Sequence, residues 1–279
     1  MGLIKEYLHR LYPYQLLRLL LSSRTPQKSK NSSPITPCPA HLDSTLLALL
    51  SHLTKQAQPR GSCSISTLLG FNLVVRTSRI PQAGRGVFLN GHVEQGSLVA
   101  FYPGLILDPW EPKLLPSLGN RYALRMTDGT VIDGKATGIS GWNYRSIVRR
   151  DRIGPYALAD TTWMDLARHD PSKDIGDSST NVLRNPLAVG QLVNNATSPN
   201  EANVTYYEYS LHPSVPLASR HLLPNIRSSG VKEGDFSKGQ LTIRSPRTGL
   251  PLVLLIATRD IRDEELYSTY MEPITSSSP

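Results

Sequence analysis

The apolar residues of this chain follow a helical period near residue 50 and a strand-like period from residue 71 onward. The first pattern predicts a helix over 43–57 with a leucine stripe at Leu46, Leu49, Leu50 and Leu53. Asp43 is a residue type that favours an N-cap at the start of such a helix. Residues 41–70 are therefore predicted to form an N-terminal helical segment.

Short runs rich in β-branched and aromatic residues follow, separated by Gly, Pro and Asp. These runs predict strands at Phe71–Arg76, Ser97–Tyr102, Val131–Asp133, Val204–Tyr209, Leu241–Arg244 and Leu252–Thr258. Residues 135–188 form a less patterned insertion, in which Thr162–Arg168 is a candidate short helix. The whole pattern predicts a mainly β fold with a small helical insertion and N-terminal helices.

The first 40 residues are predicted to lie outside this β domain. Apolar positions predict an amphipathic helix over 1–21, and the Ser- and Pro-rich residues through 40 predict a flexible basic linker. The helix carries Arg and few acids, which is typical of a mitochondrial presequence, but a helix that docks on the domain or a partner explains it equally well. The domain is predicted to span 71–272, ahead of a disordered tail at 273–279.

The chain has 279 residues and a formal net charge of +8, which raises the question of nucleic-acid binding. Residues 1–40 hold six basic side chains against the single acid Glu6, so most of the excess charge lies in the predicted helix and linker. These residues lack the interleaved aromatic and basic side chains that single-strand binders use. Nucleic acid is therefore not the predicted partner.

Two cysteines, Cys38 and Cys63, are too few for a disulfide framework or a four-cysteine zinc site. This favours an intracellular compartment, the nucleus or the cytoplasm, unless residues 1–21 direct the chain to mitochondria. No apolar run reaches the roughly 18 residues of a membrane span. The sequence also lacks phosphate-binding-loop, metalloprotease and serine-hydrolase motifs, and its histidines form no metal-like pair, so no metal is predicted.

Three segments carry candidate chemistry. The first holds Gly84-Arg85-Gly86 and then Tyr102-Pro-Gly, and a Gly-x-Gly beside a strand lets the backbone approach a ligand and present its N–H groups. The second is an apolar strand that ends at Asn194-Asn195, and the third runs through Glu264-Glu265-Leu to Tyr270. Taken singly, each segment is better explained as a turn or, for the tyrosine, as a core residue.

In this order and spacing the three segments resemble the SET-domain protein methyltransferases. The family's A-G-x-G-V-F, Y-x-G, N-H-S-C-x-P-N and E-E-L-x-x-x-Y motifs correspond to Ala83–Phe88, Tyr102–Gly104, Asn194–Asn200 and Glu264–Tyr270. The resemblance covers about residues 71–272. It implies a β-clip or SET fold, in which the asparagine segment and the C-terminal tyrosine segment cross in a pseudoknot.

The resemblance further implies transfer of a methyl group from S-adenosyl-L-methionine to a lysine side chain of a protein substrate. Gly84, Arg85 and Gly86 would line the methionine end of the cofactor, and Asn194 and Asn195 would bind it from the second segment. The catalytic residue would be Tyr270, beside the transferred methyl group, with Tyr102 as a wall of the lysine channel.

The sequence departs from the family pattern at two places. Ala196 and Thr197 follow the two asparagines where the family has Ser and Cys, and Asn195 replaces the family's His. Asp263 stands where a glycine usually precedes Glu-Glu-Leu, in a turn that is one residue short. These departures leave open a second interpretation, a catalytically silent SET-fold module that binds a partner protein.

Overall fold

A computed structural model describes residues 39–56, 65–112, 120–153, 156–168, 183–198, 201–211, 215–229 and 249–269. Several predictions concern other residues and lie outside this described part of the chain: the helix over 1–21, the linker that follows it, the strand at Leu241–Arg244, the tail at 273–279 and the placement of Tyr270.

The described residues form a strand-rich fold with few helices. The α-helices are α1 (Pro39–Gln56), α2 (Ile65–Leu69) and α3 (Gly138–Arg150), and 3₁₀ helices cover Thr162–Arg168, Gly190–Leu192 and Leu217–Leu222. The strands are β1 (Phe71–Thr77), β2 (Arg85–Val93), β3 (Leu98–Phe101), β4 (Gly104–Leu107), β5 (Ala123–Arg125), β6 (Val131–Asp133), β7 (Arg152–Ile153), β8 (Tyr156–Ala157), β9 (Asn194–Asn195), β10 (Val204–Leu211), β11 (Asn225–Arg227), β12 (Leu250–Ala257), β13 (Ile261–Arg262) and β14 (Tyr267–Ser268). The predicted mainly β fold is confirmed.

Within the described residues the strands make three larger sheets and the small hairpin β7–β8. Their orders are β1-β2-β13, β3-β12-β10-β14-β9 and β11-β4-β6-β5. Strands β10 and β12 pair over eight residues, from Val204 opposite Ala257 to Leu211 opposite Leu250. Strand β12 is buried almost throughout, which explains its unbroken apolar sequence, since a strand covered on both faces needs no polar alternation.

The C-terminal segment is threaded between two earlier segments of the five-stranded sheet. Strand β14 is parallel to both neighbours, with Tyr267 opposite Asn194 of β9 and Ser268 opposite Val204 of β10. Just before it, β13 pairs with β2 of another sheet. We call this arrangement of β9, β10 and β14 the strand crossing. In it the second and third motif segments meet, as the resemblance to the SET-domain family implies.

Helix α1 starts earlier than the sequence predicts. It begins at Pro39, so Asp43 lies inside the helix, and the prediction of Asp43 as its N-cap is wrong. Proline is favoured in the first turn of a helix, where its missing N–H leaves no hydrogen bond unmade. The Asp43 carboxylate instead accepts a hydrogen bond from the Tyr209 hydroxyl on β10. The predicted leucine stripe is buried in the main core, together with Leu42.

The insertion, residues 135–188, contributes α3 and the 3₁₀ helix at Thr162–Arg168, as far as it is described. A second hydrophobic core lies between these helices and the sheet of β4, β6 and β11, and it contains Leu105, Leu107, Val131, Tyr144, Val148, Leu158, Ala159, Trp163, Met164, Ala188 and Ile226. Leu166 of the same 3₁₀ helix packs in the main core. The insertion is therefore joined to the rest of the fold by apolar contacts on both sides.

Candidate functional site

The glycine loop, residues 78–86, connects β1 to β2 and contains two glycines in different surroundings. The loop is closed by a hydrogen bond of 2.9 Å from the Ser78 amide to the Gly84 carbonyl. Gly84 has a φ of +78° and is exposed, and a Cβ added there would meet nothing within 4 Å. Its backbone conformation favours glycine, and its surface is open to an approaching ligand.

Gly86 is required by packing rather than by backbone conformation. A Cβ added there would lie 2.0 Å from Glu265 Oε1 and 3.2 Å from Asn194 Nδ2. Protein atoms therefore occupy the space that a side chain would fill. The first and third motif segments meet at this residue.

Asn194 joins the second segment to the glycine loop. Its Nδ2 donates a hydrogen bond of 3.0 Å to the Arg85 carbonyl. Asn195 pairs with Ser268 of β14, and the next residue, Ala196, donates its amide to the Ser268 carbonyl at 2.8 Å. The five residues for which the resemblance implies cofactor binding therefore lie on two segments that contact each other: Gly84, Arg85 and Gly86 on one, and Asn194 and Asn195 on the other.

The Arg85 side chain contacts the insertion. Its guanidinium donates a hydrogen bond to the Leu166 carbonyl, at the C-terminal end of the 3₁₀ helix Thr162–Arg168. Basic side chains commonly bind the last carbonyls of a helix in this way. The backbone carbonyl of Arg85 therefore bonds to Asn194, and its side chain connects the glycine loop to the insertion.

Tyr102, the predicted channel wall, is buried, with 3 % of its surface exposed. Its hydroxyl donates a hydrogen bond of 2.9 Å to the Tyr122 carbonyl. Its ring packs edge-on against Tyr206, with centroids 6.0 Å apart, and the Tyr206 hydroxyl lies 3.1 Å from Ser268 Oγ. Since Ser268 is the partner of Asn195, Tyr102 is connected to the strand crossing through an aromatic contact.

Glu265 is the first of two residues at this site whose roles the sequence did not indicate. It is 1 % exposed, and its carboxylate accepts hydrogen bonds from the Ser78 hydroxyl (2.6 Å), the Arg79 amide (2.8 Å) and the Tyr267 hydroxyl (2.7 Å). Burial, and then the hydrogen bond and negative charge of Glu265, raise the pKa of Tyr267. The Glu-Glu-Leu motif was the available signal, but it does not distinguish a buried carboxylate from an exposed one.

Asn203 is a second residue that sequence reasoning missed. It is fully buried, its Nδ2 donates to the Glu265 carbonyl at 2.8 Å, and its Oδ1 accepts from the Tyr267 amide at 2.8 Å. One carboxamide therefore satisfies two backbone groups of the segment that enters the crossing. Buried backbone groups need such partners, because leaving them unpaired costs free energy.

Asp263, which stands where the family has glycine, occupies a glycine-like conformation. Its φ is +47°, a region that residues other than Gly, Asn and Asp rarely adopt. Its Oδ1 accepts a hydrogen bond of 2.7 Å from the Gly91 amide, and its own amide donates to the Gly91 carbonyl at 3.2 Å. The departure from the family pattern keeps the turn, because the aspartate side chain fastens it to β2.

Two features are absent from the residues that the structure describes. No group of three or more His, Cys, Asp or Glu side chains there could hold a metal ion. Among the same residues, no helix has the length and apolar character needed to cross a bilayer.

Comparison with known proteins identifies the family of this chain. The chain is 39% identical over 204 residues to SET domain-containing protein 9 of Homo sapiens and, at the same identity and length, to the protein of that name from Pongo abelii. These matches cover 72% of this chain, 58% of the human protein and 64% of the Pongo abelii protein. The chain therefore belongs to the SET-domain family. Within it, the chain is similar to proteins named SET domain-containing protein 9.

Two further comparisons concern family models and solved structures. No family model matches the chain. The crystal structure of CpSET8 from Cryptosporidium has a TM-score of 0.35 and 11% identity, over 97% of this chain and 95% of that one.

Proposed function

We propose that this protein is an S-adenosyl-L-methionine-dependent protein-lysine N-methyltransferase. The observation that carries the proposal is the strand crossing, where the glycine loop, Asn194 and Asn195 meet the segment that leads to Tyr270. Membership of the SET-domain family supports the same reaction. The match spans only 58% of the human relative and 64% of the Pongo abelii relative, so the substrates of those whole proteins are not assigned to this chain.

The residues present fit the cofactor at the glycine loop. Gly84 is exposed, and no atom lies within 4 Å of the position a side chain would take, so a ligand can approach the backbone there. The carboxylate of Glu265 accepts three hydrogen bonds from donors of the chain. We expect Gly84 and the Asn195 backbone to provide the cofactor contacts, while Gly86 serves the packing of the loop.

In the proposed reaction, the residues of this chain hold a neutral lysine amine in line with the methyl group. When bound, S-adenosyl-L-methionine supplies a methyl group on a positively charged sulfur. A lysine side chain has a pKa near ~10.4 in water and is protonated at neutral pH. Apolar surroundings and a nearby positive charge both lower the pKa of an amine, and Tyr102 and Tyr206 provide a buried aromatic wall of the required kind.

Alignment supplies the remaining acceleration, since well-oriented reacting groups reach effective molarities of roughly 10⁵–10⁸ M. We propose Tyr270 for this role, with its hydroxyl beside the amine and the sulfur. Its proximity in sequence to Ser268, which pairs with Asn195, supports the assignment.

The test uses the full chain. We expect calorimetric titration with S-adenosyl-L-methionine to show binding, and the radiolabelled methyl group to be transferred to proteins of a cell lysate. Tyr270→Phe should retain cofactor binding and lose transfer at least about 100-fold, as expected when a group acting only in the transition state is removed. A folded wild-type protein that binds no S-adenosyl-L-methionine would contradict the proposal.

A second candidate function is a catalytically silent SET-fold module that binds a partner protein. It is favoured by one observation, that the Asn194 carboxamide already donates to Arg85, next to the unusual Ala196 and Thr197. This candidate predicts a folded protein in which the wild type and Tyr270→Phe give equal, background levels of methyl transfer. Transfer that the Tyr270→Phe change removes would exclude it.

A further inference from the structure

We propose that Glu265 is a positioning residue, which holds the glycine loop and β14 in the arrangement that the cofactor site needs. This inference rests on the proposed function, because the site it positions is the proposed cofactor site. Glu265 would act through the backbone of the loop and would not touch the reacting atoms.

The carboxylate joins two segments that are far apart in sequence. Its Oε1 accepts from the Ser78 hydroxyl, and its Oε2 accepts from the Arg79 amide and the Tyr267 hydroxyl. Ser78 and Arg79 form the beginning of the glycine loop, whereas Tyr267 belongs to β14. One side chain therefore fixes both the loop and the strand that leads towards Tyr270.

The carboxylate also lies against the other end of the loop. Its Oε1 fills the space where a Cβ on Gly86 would lie. The Nδ2 atom of Asn194 lies 3.2 Å from the same Cβ position. The Ser78 amide is bonded to the Gly84 carbonyl, so a shift of Ser78 would move Gly84 with it. Glu265 thus contacts the loop at its first and last residues and controls the position of Gly84 between them.

Burial makes this contact sensitive to the chemistry of the acceptor. A buried carboxylate is tolerated only when donors replace its lost hydration, and three donors do so here. A carboxamide at the same position could accept fewer of them and would present an N–H group to a donor. The Ser78 hydroxyl could turn to accept from that N–H group, but the negative charge would be lost, and hydrogen bonds to a neutral acceptor are weaker than those to a carboxylate.

Glu264 is a matched control for this residue. It precedes Glu265 directly, carries the same charge, and pairs with Arg259 through bonds of 2.5 and 2.9 Å. Its side chain is 27% exposed, so its ion pair lies at the surface. Glu264→Gln and Glu265→Gln make the same change of charge at neighbouring positions, and only the second removes the contacts described above.

The first measurement is calorimetric titration of the full chain with S-adenosyl-L-methionine. We expect Glu265→Gln to weaken binding about 10-fold or more, and Glu264→Gln to stay within about 2-fold of the wild type, since the lost contacts are buried in one case and exposed in the other. Equal affinity of folded Glu265→Gln and wild type would overturn the inference.

The second measurement needs no cofactor. Hydrogen exchange of the amides of residues 79–86 should be faster in Glu265→Gln than in the wild type and unchanged in Glu264→Gln. Unchanged exchange in Glu265→Gln would overturn the inference whether or not the protein binds S-adenosyl-L-methionine. If exchange is faster in Glu265→Gln but the wild type binds no cofactor, the contact of Glu265 with the loop is supported. The proposed function is then overturned, and the positioning role with it.

If Glu265→Gln does not fold, Tyr267→Phe decides the question. It removes one donor and leaves the carboxylate with the other two. We expect the same direction in both measurements, with cofactor binding weakened about 2- to 5-fold, a smaller effect than that of Glu265→Gln because the bonds from Ser78 and Arg79 to the carboxylate remain. Wild-type affinity and exchange in Tyr267→Phe would overturn the inference.

Discussion

The strand crossing is held by hydrogen bonds to buried polar side chains, whereas the insertion is held by aromatic packing. At the crossing, β9 and β14 pair over only two residues. The Asn203 carboxamide bonds two backbone groups of the segment that contains β14, and the Glu265 carboxylate accepts from the Arg79 amide of the glycine loop. In the insertion, the Tyr144 and Trp163 rings pack edge-on with centroids 5.2 Å apart, inside a small apolar core.

The difference has a physical consequence. Hydrogen bonds to a buried acceptor depend on the position of single atoms, while apolar packing depends on volume. We therefore expect the crossing to respond to changes of one atom or one charge, and the insertion to respond to loss of bulk. The following variants are chosen to break or to sharpen this contrast.

The largest effect is expected in the insertion, from Trp163→Ala. Trp163 is fully buried, and truncation of such a side chain costs about 3–5 kcal/mol of the free energy of unfolding. Trp142, on α3 of the same insertion, is 68% exposed, and Trp142→Ala should change that free energy by less than about 0.5 kcal/mol. Urea unfolding measures both, and equal losses for the two tryptophans would contradict the account of the second core.

The next effect is expected at the crossing, from Gly86→Ala. The added methyl group would lie 2.0 Å from Glu265 Oε1, and overpacking of this kind costs about 3 kcal/mol. Gly84→Ala should cost about 1 kcal/mol, from its positive φ alone.

A double-mutant cycle separates the two causes. The cost of Gly86→Ala should fall markedly in a Glu265→Ala background, because the clashing carboxylate is gone, whereas the cost of Gly84→Ala should stay the same. Additive values for both glycines in urea unfolding would show that Glu265 does not occupy the space beside Gly86.

The same contrast explains which parts of the molecule the sequence could predict. Strand β1 was expected at Phe71–Arg76 and spans Phe71–Thr77, and β6 was expected at its observed bounds, because buried β-branched residues mark such strands. Strands β9 and β14 have two residues each, too few for any period to show. Only the order and spacing of the motifs indicated that these segments meet.

Helix α3 was missed for a different reason. Its buried face consists of Ser140, Gly141, Tyr144 and Val148, which is weakly apolar, while the apolar Ile139 and Trp142 are exposed. A hydrophobic pattern therefore points to the wrong face of this helix. Glycine is needed at 141 because a Cβ there would lie 2.2 Å from the Ala136 carbonyl oxygen, a contact set by the path of the chain just before the helix begins.

A smaller effect is expected from Asp263, in the turn before the crossing. Asp263→Ala loses the hydrogen bond to the Gly91 amide and places alanine at a φ of +47°, which together should cost about 2 kcal/mol. Asp263→Gly loses only the hydrogen bond and should cost about 1 kcal/mol or less. Asp263→Asn keeps the acceptor and tolerates this φ, so urea unfolding should place it close to the wild type. An Asp263→Ala variant as stable as Asp263→Asn would contradict this assignment.

The smallest effect is expected in the insertion, as a change in the pH dependence of stability from Asp160→Asn. Burial raises the pKa of Asp160 above its usual range, although its carboxylate accepts hydrogen bonds from the Thr162 amide and hydroxyl. A group whose pKa is higher in the folded state contributes stability below its unfolded pKa of about 3.9, and this contribution is lost as the pH rises through the folded pKa. The advantage of the wild type over Asp160→Asn in urea unfolding should therefore shrink between about pH 3.5 and pH 7. Asp165→Asn, on the exposed side of the adjoining 3₁₀ helix, makes the same change of charge at an exposed position and serves as the control. If the wild type instead gains on Asp160→Asn as the pH rises, the hydrogen bonds to the charged carboxylate outweigh its burial, and the insertion then depends on polar contacts as the crossing does.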